Sequence, residues 1–312
     1  MKKAILVIFV ALLAVAMLAT PVFAKPASTT YGNAFGMNYA QTTGKLGGAD
    51  YVIYMPEDWN GRLIIGCSGY NYLGDPHREL SFGALAQWLV SEGYAFASTN
   101  YNGGERAWLV EEGIIRTHQL TEYIVDNYQV TDKIFIFGVS MGGSIALNLA
   151  KKYPNLYSGV LDICGSKDSI AGYYYAQVWA TKTVAELRVI FSIPAVVPDS
   201  QMVFLKTFFA TVLADTIEAA GGTPEKKPQA YERHDAVCHA DIEIPTISLV
   251  GALDMLVPLS RHLAFQTAIA AAGCSDLYRL YIVPNGGHFD APIQSQMIGK
   301  LMELIAWSDS LD

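Results

Sequence analysis

The feature that most constrains the fold is the run IFIFGVSMGG, in which an apolar segment ends at Ser140 between glycines. The pattern predicts a buried strand over 133–137 and a helix over 144–152. A serine on so sharp a strand-to-helix turn has strained backbone angles, so Gly138 and Gly142 must lack side chains. This context predicts an exposed nucleophile, whereas the alternative is a serine that only caps the helix.

Strand and helix patterns alternate on both sides of this turn. Apolar strands are predicted at 50–55, 62–67, 94–99, 158–164, 246–250 and 277–283. Most of them are apolar on both faces and are separated by amphipathic helices, which is typical of a parallel sheet between helical layers. The sequence therefore predicts an α/β fold with a mostly parallel central sheet. Residues 25–38, rich in small and polar side chains, are predicted to form a poorly structured lead-in.

The alternation stops between 166 and 241, where no strand pattern is found. This stretch is rich in aromatic residues, including Tyr175, Trp179 and Phe208. We interpret it as a helical lid inserted into one catalytic domain that covers 25–312. The aromatic residues are suited to an apolar pocket wall, and an ordinary core of the insertion explains them equally well.

Residues 1–24 have the three parts of a secretory signal: two lysines, an apolar run and a small-residue exit. The mature chain is predicted to begin near Lys25 and to be secreted or periplasmic, without stable membrane insertion. If the signal is not cleaved, the protein is membrane-anchored instead, because the apolar run approaches the length of a spanning helix.

The charge balance excludes one class of partner. The chain has 21 basic and 29 acidic residues, so removal of two signal lysines leaves 19 − 29 = −10. Nucleic acid requires a basic face, so no nucleic-acid partner is expected. Export permits disulfides among Cys67, Cys164, Cys238 and Cys274, and the pair Cys238–Cys274 is the better candidate because each precedes a late strand.

A serine nucleophile needs a base and an orienting carboxylate, and both should follow it in the order acid, histidine. His288 is the candidate base, because it lies in the loop after the strand predicted at 277–283. Asp254 follows the strand predicted at 246–250 and is the candidate acid. The rival acids are Asp235, Asp241 and Asp290.

The negative charge that develops during attack requires two preorganised N–H donors. One is expected from the backbone of Met141, and the other from Tyr70 or Gly69 in the loop after the strand at 62–67. No cofactor and no metal are expected. Ligand-type side chains between 234 and 241 match no zinc spacing, and a polar hinge is favoured there.

The segments GVSMGG, VGALDMLVP and NGGHF, each after a strand, resemble the nucleophile, acid and histidine motifs of the α/β-hydrolase superfamily. The resemblance covers about Tyr51 to the end and implies an eight-stranded sheet whose first strands are antiparallel. Many members have His-Gly in the oxyanion loop, where this chain has Ser68 and Gly69. Among secreted members the chain is similar to feruloyl, tannase-like and related carboxylesterases.

These features predict a secreted serine hydrolase that cleaves small-molecule carboxylic esters of aromatic or medium-chain acids. Ser140, His288 and Asp254 would form the triad, with an acyl-enzyme intermediate. The alternatives are a peptidase or amidase with the same triad and, less favoured because the triad is intact, a non-catalytic binding protein on this fold.

Overall fold

The computed structural model describes residues 25–75 and 82–311. The signal predicted at 1–24 lies outside the described residues. Among the helices of the described ranges, none is long and apolar enough to cross a membrane.

The described chain is built on a nine-stranded sheet in the order β1-β2-β3-β5-β4-β6-β7-β8-β9. The strands are β1 (Lys25–Ala34), β2 (Met37–Leu46), β3 (Ala49–Pro56), β4 (Leu63–Cys67), β5 (Ala95–Thr99), β6 (Ile134–Val139), β7 (Gly159–Ile163), β8 (Thr246–Gly251) and β9 (Tyr278–Val283). From β1 to β5 the neighbours are antiparallel, and from β5 to β9 they are parallel. The predicted α/β fold with a mostly parallel sheet is confirmed.

The prediction of a poorly structured lead-in over 25–38 is wrong. β1 and β2 form a hairpin with Ala34 opposite Met37, and the two turn residues Phe35 and Gly36 have φ of 50° and 93°. Two positive φ angles match the twist that a two-residue hairpin requires. The hairpin lies at the edge of the sheet and its first strand is largely exposed, so its polar residues carry no buried apolar face that a pattern could reveal. The described sheet therefore has nine strands, one more than the eight that the resemblance implied.

Helices cover both faces of the sheet. They are α1 (Gly83–Ser91), α2 (Val110–Asn127), α3 (Met141–Lys152), α4 (Ser169–Thr181), α5 (Val184–Ile190), α6 (Asp199–Ala220), α7 (Pro228–Glu232), α8 (Leu259–Ala271) and α9 (Ala291–Asp309). Helices α2, α3 and α8 pack on one face with Ile134 and Ile136, while α1 and α9 pack on the other with Phe135 and Phe137. β6 is therefore buried on both sides, as its continuous apolar run predicted.

The stretch between β7 and β8 is helical, as predicted, and contains α4 to α7. It has a small core of its own around Trp179, which is fully buried. The Trp179 ring stacks on Phe191 at 5.3 Å and on Phe209 at 5.4 Å between ring centroids. Part of the aromatic content of this insertion therefore stabilises the insertion itself.

The candidate disulfide Cys238–Cys274 is not formed, and all four cysteines are free. Val237, next to Cys238, donates its N–H to Lys167 O beyond the carboxyl end of β7. Cys274 stands before the amino end of β9 and caps α8. The two cysteines thus lie near opposite ends of the parallel strands. Their similar positions before late strands in the sequence did not indicate this separation.

A buried ion pair lies at the carboxyl end of β7. Asp162 and Lys167 are both fully buried and in direct contact, and Asp162 Oδ2 also accepts a hydrogen bond from Ser248 Oγ at 2.6 Å. Asp162 Oδ1 accepts from Gly165 N at 3.1 Å. Burial lowers the pKa of Lys167, and the neighbouring Asp162 carboxylate acts in the opposite direction. The pair is thus compensated on several sides, as a buried charge requires.

We predict that Lys167→Met lowers the free energy of unfolding by about 3–5 kcal/mol, because it leaves the Asp162 charge buried and unpaired. The double variant Asp162→Asn with Lys167→Met should recover most of that loss. Lys151→Met is the matched control, because Lys151 contacts Asp241 at 2.7 Å but is partly exposed, and it should cost less than about 1 kcal/mol. Urea unfolding measures all three, and equal losses for Lys167→Met and Lys151→Met would contradict the prediction.

Candidate active site

Ser140 stands on a strained turn between β6 and α3. Its φ of 58° and ψ of −120° lie in a region that residues with side chains rarely adopt. A Cβ at Gly138 would lie 2.0 Å from Gly142 O, and a Cβ at Gly142 would lie 2.0 Å from Cys67 O. Glycine is therefore required at both positions, as predicted, because a side chain at either one would collide with backbone atoms. α3 begins at Met141, three residues before the predicted start.

Backbone hydrogen bonds hold this turn against the neighbouring strand. Ser140 N donates to Ile163 O of β7 at 2.9 Å. Ser140 O accepts from Gly143 N at 3.0 Å and from Ser166 N at 3.3 Å. These hydrogen bonds hold the backbone of Ser140 in place, so its strained conformation persists in the folded protein.

His288 and Asp254 form a hydrogen-bonded pair. His288 Nδ1 donates to Asp254 Oδ2 at 2.8 Å, while Asp254 Oδ1 accepts from Leu256 N at 2.8 Å and Val257 N at 2.9 Å. The Asp254 side chain is fully buried, and the His288 side chain is 14% exposed. Since the carboxylate can only accept, Nδ1 carries the proton and Nε2 is left as the basic nitrogen.

The loop that carries His288 is anchored on β8. Leu253 N donates to Gly286 O at 2.8 Å. A Cβ at Gly251 would lie 2.3 Å from both Gly286 O and Gly287 O. The acid loop and the histidine loop are therefore packed backbone to backbone, which fixes the relative position of the two side chains.

The rival acids have other roles. Asp290 is the N-cap of α9 and accepts from Gly287 N at 2.7 Å, so it shapes the histidine loop. Asp235 accepts from Ser169 N, at the start of α4, at 3.1 Å, and burial raises its pKa to about 6. Asp241 contacts Lys151 at 2.7 Å on the surface. Among the four candidate acids, only Asp254 is hydrogen-bonded to a histidine ring within the described chain.

The other histidines that the structure describes are engaged in packing or in separate contacts. The His118 ring stacks on Tyr153 at 3.6 Å between centroids. His262 is fully buried in α8, where burial lowers its pKa well below the usual value. Near the predicted polar hinge, His234 Nε2 lies 2.6 Å from Glu111 Oε2 and His239 Nε2 lies 3.1 Å from Glu232 O.

One group of ligand-type side chains lies together in the described part of the chain: Cys164, Asp254 and His288, whose ligand atoms are within 4.8 Å of one another. Asp254 and His288 are already bonded to each other. Burial raises the pKa of the Cys164 thiol to about 12, so the thiolate that binds metals is disfavoured. The set therefore fits a proton-transfer pair better than a metal centre.

The predicted oxyanion donors lie beside Ser140. Met141 is the first residue of α3, where a backbone N–H has no partner within the helix. A Cβ at Gly69 would lie 3.3 Å from Ser140 Cβ, so the loop after β4 passes directly against the serine. Tyr70 follows in that loop, and its side chain points towards the insertion, where its hydroxyl donates to Asp215 Oδ2 at 2.5 Å.

A cavity of about 80 Å³ extends from Ser140 beneath the insertion. Its walls are mostly apolar and come from α4, α6 and the loops after β4, β5 and β8: Tyr70, Trp108, Tyr173, Tyr175, Ala176, Phe208, Phe209, Val212, Leu213, Leu256, Val257 and Pro258. Lys167, Asp168 and Arg261 add charge to the lining.

Sequence reasoning did not identify Asp168, Asp215 or Arg261. Asp168 carried only the signal of an N-cap, since it precedes α4 and accepts from Ala171 N at 2.7 Å. Asp215 and Arg261 lie within helix patterns, where charged residues usually face solvent. No local signal distinguishes them from surface residues.

Solved structures with the same fold include both esterases and peptidases. The chain is similar to acetyl xylan esterase 1 of Thermoanaerobacterium, with 12% identity, a TM-score of 0.56 and coverage of 91% of this chain and 88% of that one. An esterase of Pyrococcus furiosus gives 12% identity, a TM-score of 0.52 and coverage of 92% and 89%. The acylaminoacyl peptidase of Pyrococcus horikoshii gives 15% identity, a TM-score of 0.58 and coverage of 92% of this chain and 42% of the peptidase.

These likenesses show the α/β-hydrolase fold, and the chain spans less than half of the peptidase's length. Among curated proteins, no sequence matches this chain. A family model described as "Putative esterase" matches residues 86–244, slightly more than half of the 312 residues. The matched segment contains Ser140 and most of the helical insertion. The chain therefore belongs to this esterase family and has the α/β-hydrolase fold.

Proposed function

We propose that the protein is an exported serine carboxylesterase with the triad Ser140, His288 and Asp254. The observation that carries the proposal is the oriented His288–Asp254 pair, in loops anchored to each other at the sheet edge where Ser140 is held in a strained turn. Membership in the esterase family supports hydrolysis of an ester. Export rests on the signal-like sequence of residues 1–24.

In this mechanism Ser140 Oγ attacks the ester carbonyl while His288 Nε2 takes its proton. Asp254 stabilises the imidazolium through Nδ1, and the backbone N–H groups of Met141 and of Gly69 or Tyr70 stabilise the oxyanion. His288 then protonates the leaving alcohol, and water cleaves the acyl-enzyme by the same steps in reverse. In the described chain the Ser140 hydroxyl forms no hydrogen bond with His288, and such bonds often tighten only when substrate binds.

The cavity favours an aromatic or medium-chain acyl group, as in feruloyl esterase-like enzymes. Phe208 and Tyr175 offer ring faces, and Val212 and Leu213 offer aliphatic surface next to them. Burial of an apolar acyl group against these side chains contributes about 25 cal/mol per Å² of area removed from water. The helical insertion would act as a lid over this group.

A second candidate, a peptidase or amidase with the same triad, is favoured by one specific observation. Arg261 and Asp168 line the cavity and could hold a charged substrate terminus. Arg261 Nη1 lies 3.7 Å from Asp168 Oδ2, which is too long for a hydrogen bond, and its Nη2 donates to Ala171 O at 3.3 Å. The guanidinium therefore keeps N–H groups for a further partner.

We predict that Ser140→Ala lowers kcat for 4-nitrophenyl butyrate by about 10⁴-fold or more, because the triad members act as a unit. A fluorophosphonate probe should label the wild type and not this variant. Ser144→Ala, one turn along α3, is the matched control and should keep both activity and labelling. Absence of turnover and of labelling in the wild type would contradict the proposed function.

We predict that Val212→Phe fills part of the acyl cavity and changes chain-length preference. The ratio of kcat/KM for 4-nitrophenyl octanoate to that for the acetate should fall by about tenfold, equivalent to about 1.4 kcal/mol of lost transition-state binding. Val203→Phe adds the same ring at an exposed position on the same helix and should leave the ratio unchanged. Equal ratios in the wild type and Val212→Phe would place the acyl group elsewhere.

The esterase and peptidase candidates differ in one matched pair of substrates. We predict that N-acetylphenylalanine 4-nitrophenyl ester is hydrolysed at least about 100-fold faster in kcat/KM than the corresponding 4-nitroanilide, a difference of about 2.7 kcal/mol. Arg261→Gln should leave hydrolysis of the butyrate ester unchanged. If free aminoacyl anilides match the ester rate and lose it in Arg261→Gln, the peptidase assignment replaces the esterase assignment.

A further inference from the structure

A carboxylate on the insertion reaches the loop beside the nucleophile. Asp215 lies near the end of α6, and its side chain is only 10% exposed. Asp215 Oδ2 accepts the hydrogen bond from Tyr70 OH at 2.5 Å and lies 3.3 Å from Arg106 Nε. The two partners come from different loops at the active edge of the sheet, one after β4 and one after β5.

The Tyr70 ring is held on several sides. Its centroid lies 5.9 Å from that of Phe208, in an edge-on arrangement, and 6.1 Å from that of Trp108. Phe208 lies on α6, two turns before Asp215, so one helix contacts both the ring and the hydroxyl of Tyr70. The side chain is therefore fixed at its tip and along its face by the same element.

The Tyr70 side chain affects the oxyanion donors because it belongs to the loop that supplies one of them. Tyr70 follows Gly69, whose backbone lies against Ser140. Gly69 has no side chain of its own to fix the peptide between the two residues. A tyrosine whose tip and ring are both held limits rotation about that peptide, and an oxyanion donor must point at the charge before it develops.

We propose that Asp215 is a positioning residue, which orients the backbone N–H donor at Gly69–Tyr70 through its hydrogen bond with the Tyr70 hydroxyl. The inference rests on the proposed serine esterase function and adds a residue to that site. It also couples the insertion to catalysis, because displacement of α6 removes the hydrogen bond that orients the donor.

In this hydrogen bond the Tyr70 hydroxyl is the donor and the Asp215 carboxylate is the acceptor. Burial and the Asp215 carboxylate both raise the pKa of Tyr70 above its usual value, so the phenol stays protonated and donates. Arg106 Nε lies 3.3 Å from the same oxygen, Asp215 Oδ2, and is a half-exposed ion-pair partner that responds to the charge of the carboxylate. The charge of Asp215 and its ability to accept a hydrogen bond can therefore be tested separately.

The experiment compares Tyr70→Phe, Asp215→Ala and their double variant with the wild type on 4-nitrophenyl butyrate, using the mature chain. Each single change should lower kcat by about 10- to 100-fold with KM changed by less than about threefold, because an interaction of the transition state is lost. The double variant should be no slower than the slower single variant. A trifluoromethyl ketone, whose adduct with Ser140 carries an oxyanion, should lose affinity by the same factor as kcat/KM.

Two controls separate the hydrogen bond from the ion pair and from folding. Asp215→Asn retains an oxygen that accepts from the Tyr70 hydroxyl and should keep kcat within about threefold of the wild type, and Arg106→Gln should do the same. Thermal unfolding and fluorophosphonate labelling of Ser140 confirm that each variant is folded and has an active nucleophile.

Several results would overturn the inference while the esterase function stands. They are unchanged kcat in Tyr70→Phe and Asp215→Ala, a rise in KM alone, independent losses that multiply in the double variant, or an Asp215→Asn variant as slow as Asp215→Ala. A wild type without turnover or labelling would instead remove the proposed function, and the inference with it.

Discussion

The strained backbone of Ser140 is the constraint on which the rest of the site depends. Holding a residue with a side chain in such a conformation costs about 1–3 kcal/mol. The cost is offset by the hydrogen bond from Ser140 N to Ile163 O and by the fit of Gly142 against Cys67 O. Both contacts come from strands that flank β6, so the turn can exist only at the centre of a parallel sheet.

Two buried carboxylates near the carboxyl ends of the parallel strands, Asp162 and Asp254, have different roles because their hydrogen-bond partners differ. Asp162 is surrounded by Lys167, Ser248 and Gly165 N, which satisfy both of its oxygens within the protein. Asp254 is fixed by backbone N–H groups on one oxygen and presents the other to His288. The first arrangement stabilises the loop after β7, whereas the second orients a ring that can exchange a proton with substrate.

The sequence predicted the elements that leave a signal within a short stretch of residues. The central strands were found because burial on both faces makes them continuously apolar, and the turn at Ser140 because backbone contact demands glycine. Asp254 and His288 were found because the order of the motifs and the preceding strands restricted the choice. The catalytic roles of these residues stay predictions.

The features that were missed either leave no pattern in the sequence or depend on contacts between distant segments. In the hairpin, β1 is largely exposed and β2 is only partly buried, so neither strand shows a clear alternation of apolar and polar residues. Tyr70 and Asp215 are separated by 145 positions, and only the folded insertion brings them together. Arg261 is one of several charged helix residues, and the cavity beside it is visible only in three dimensions. The start of α3 was predicted too late because its first residues, Met141 to Gly143, do not show helical periodicity.

The insertion combines a core of its own with contacts to the active site. The core around Trp179 comes mainly from α4, α5 and α6, and Met255 and Leu256 of the loop after β8 pack against it. Its contacts with the site include Phe208 against Tyr70, the hydroxyl of Tyr175 on Met255 O at 2.8 Å, and Asp215 on Tyr70. Displacement of α6 would therefore separate Asp215 and Phe208 from Tyr70. Under the proposed lid role, the oxyanion loop would be fully oriented only with the insertion closed over the substrate, where water is excluded.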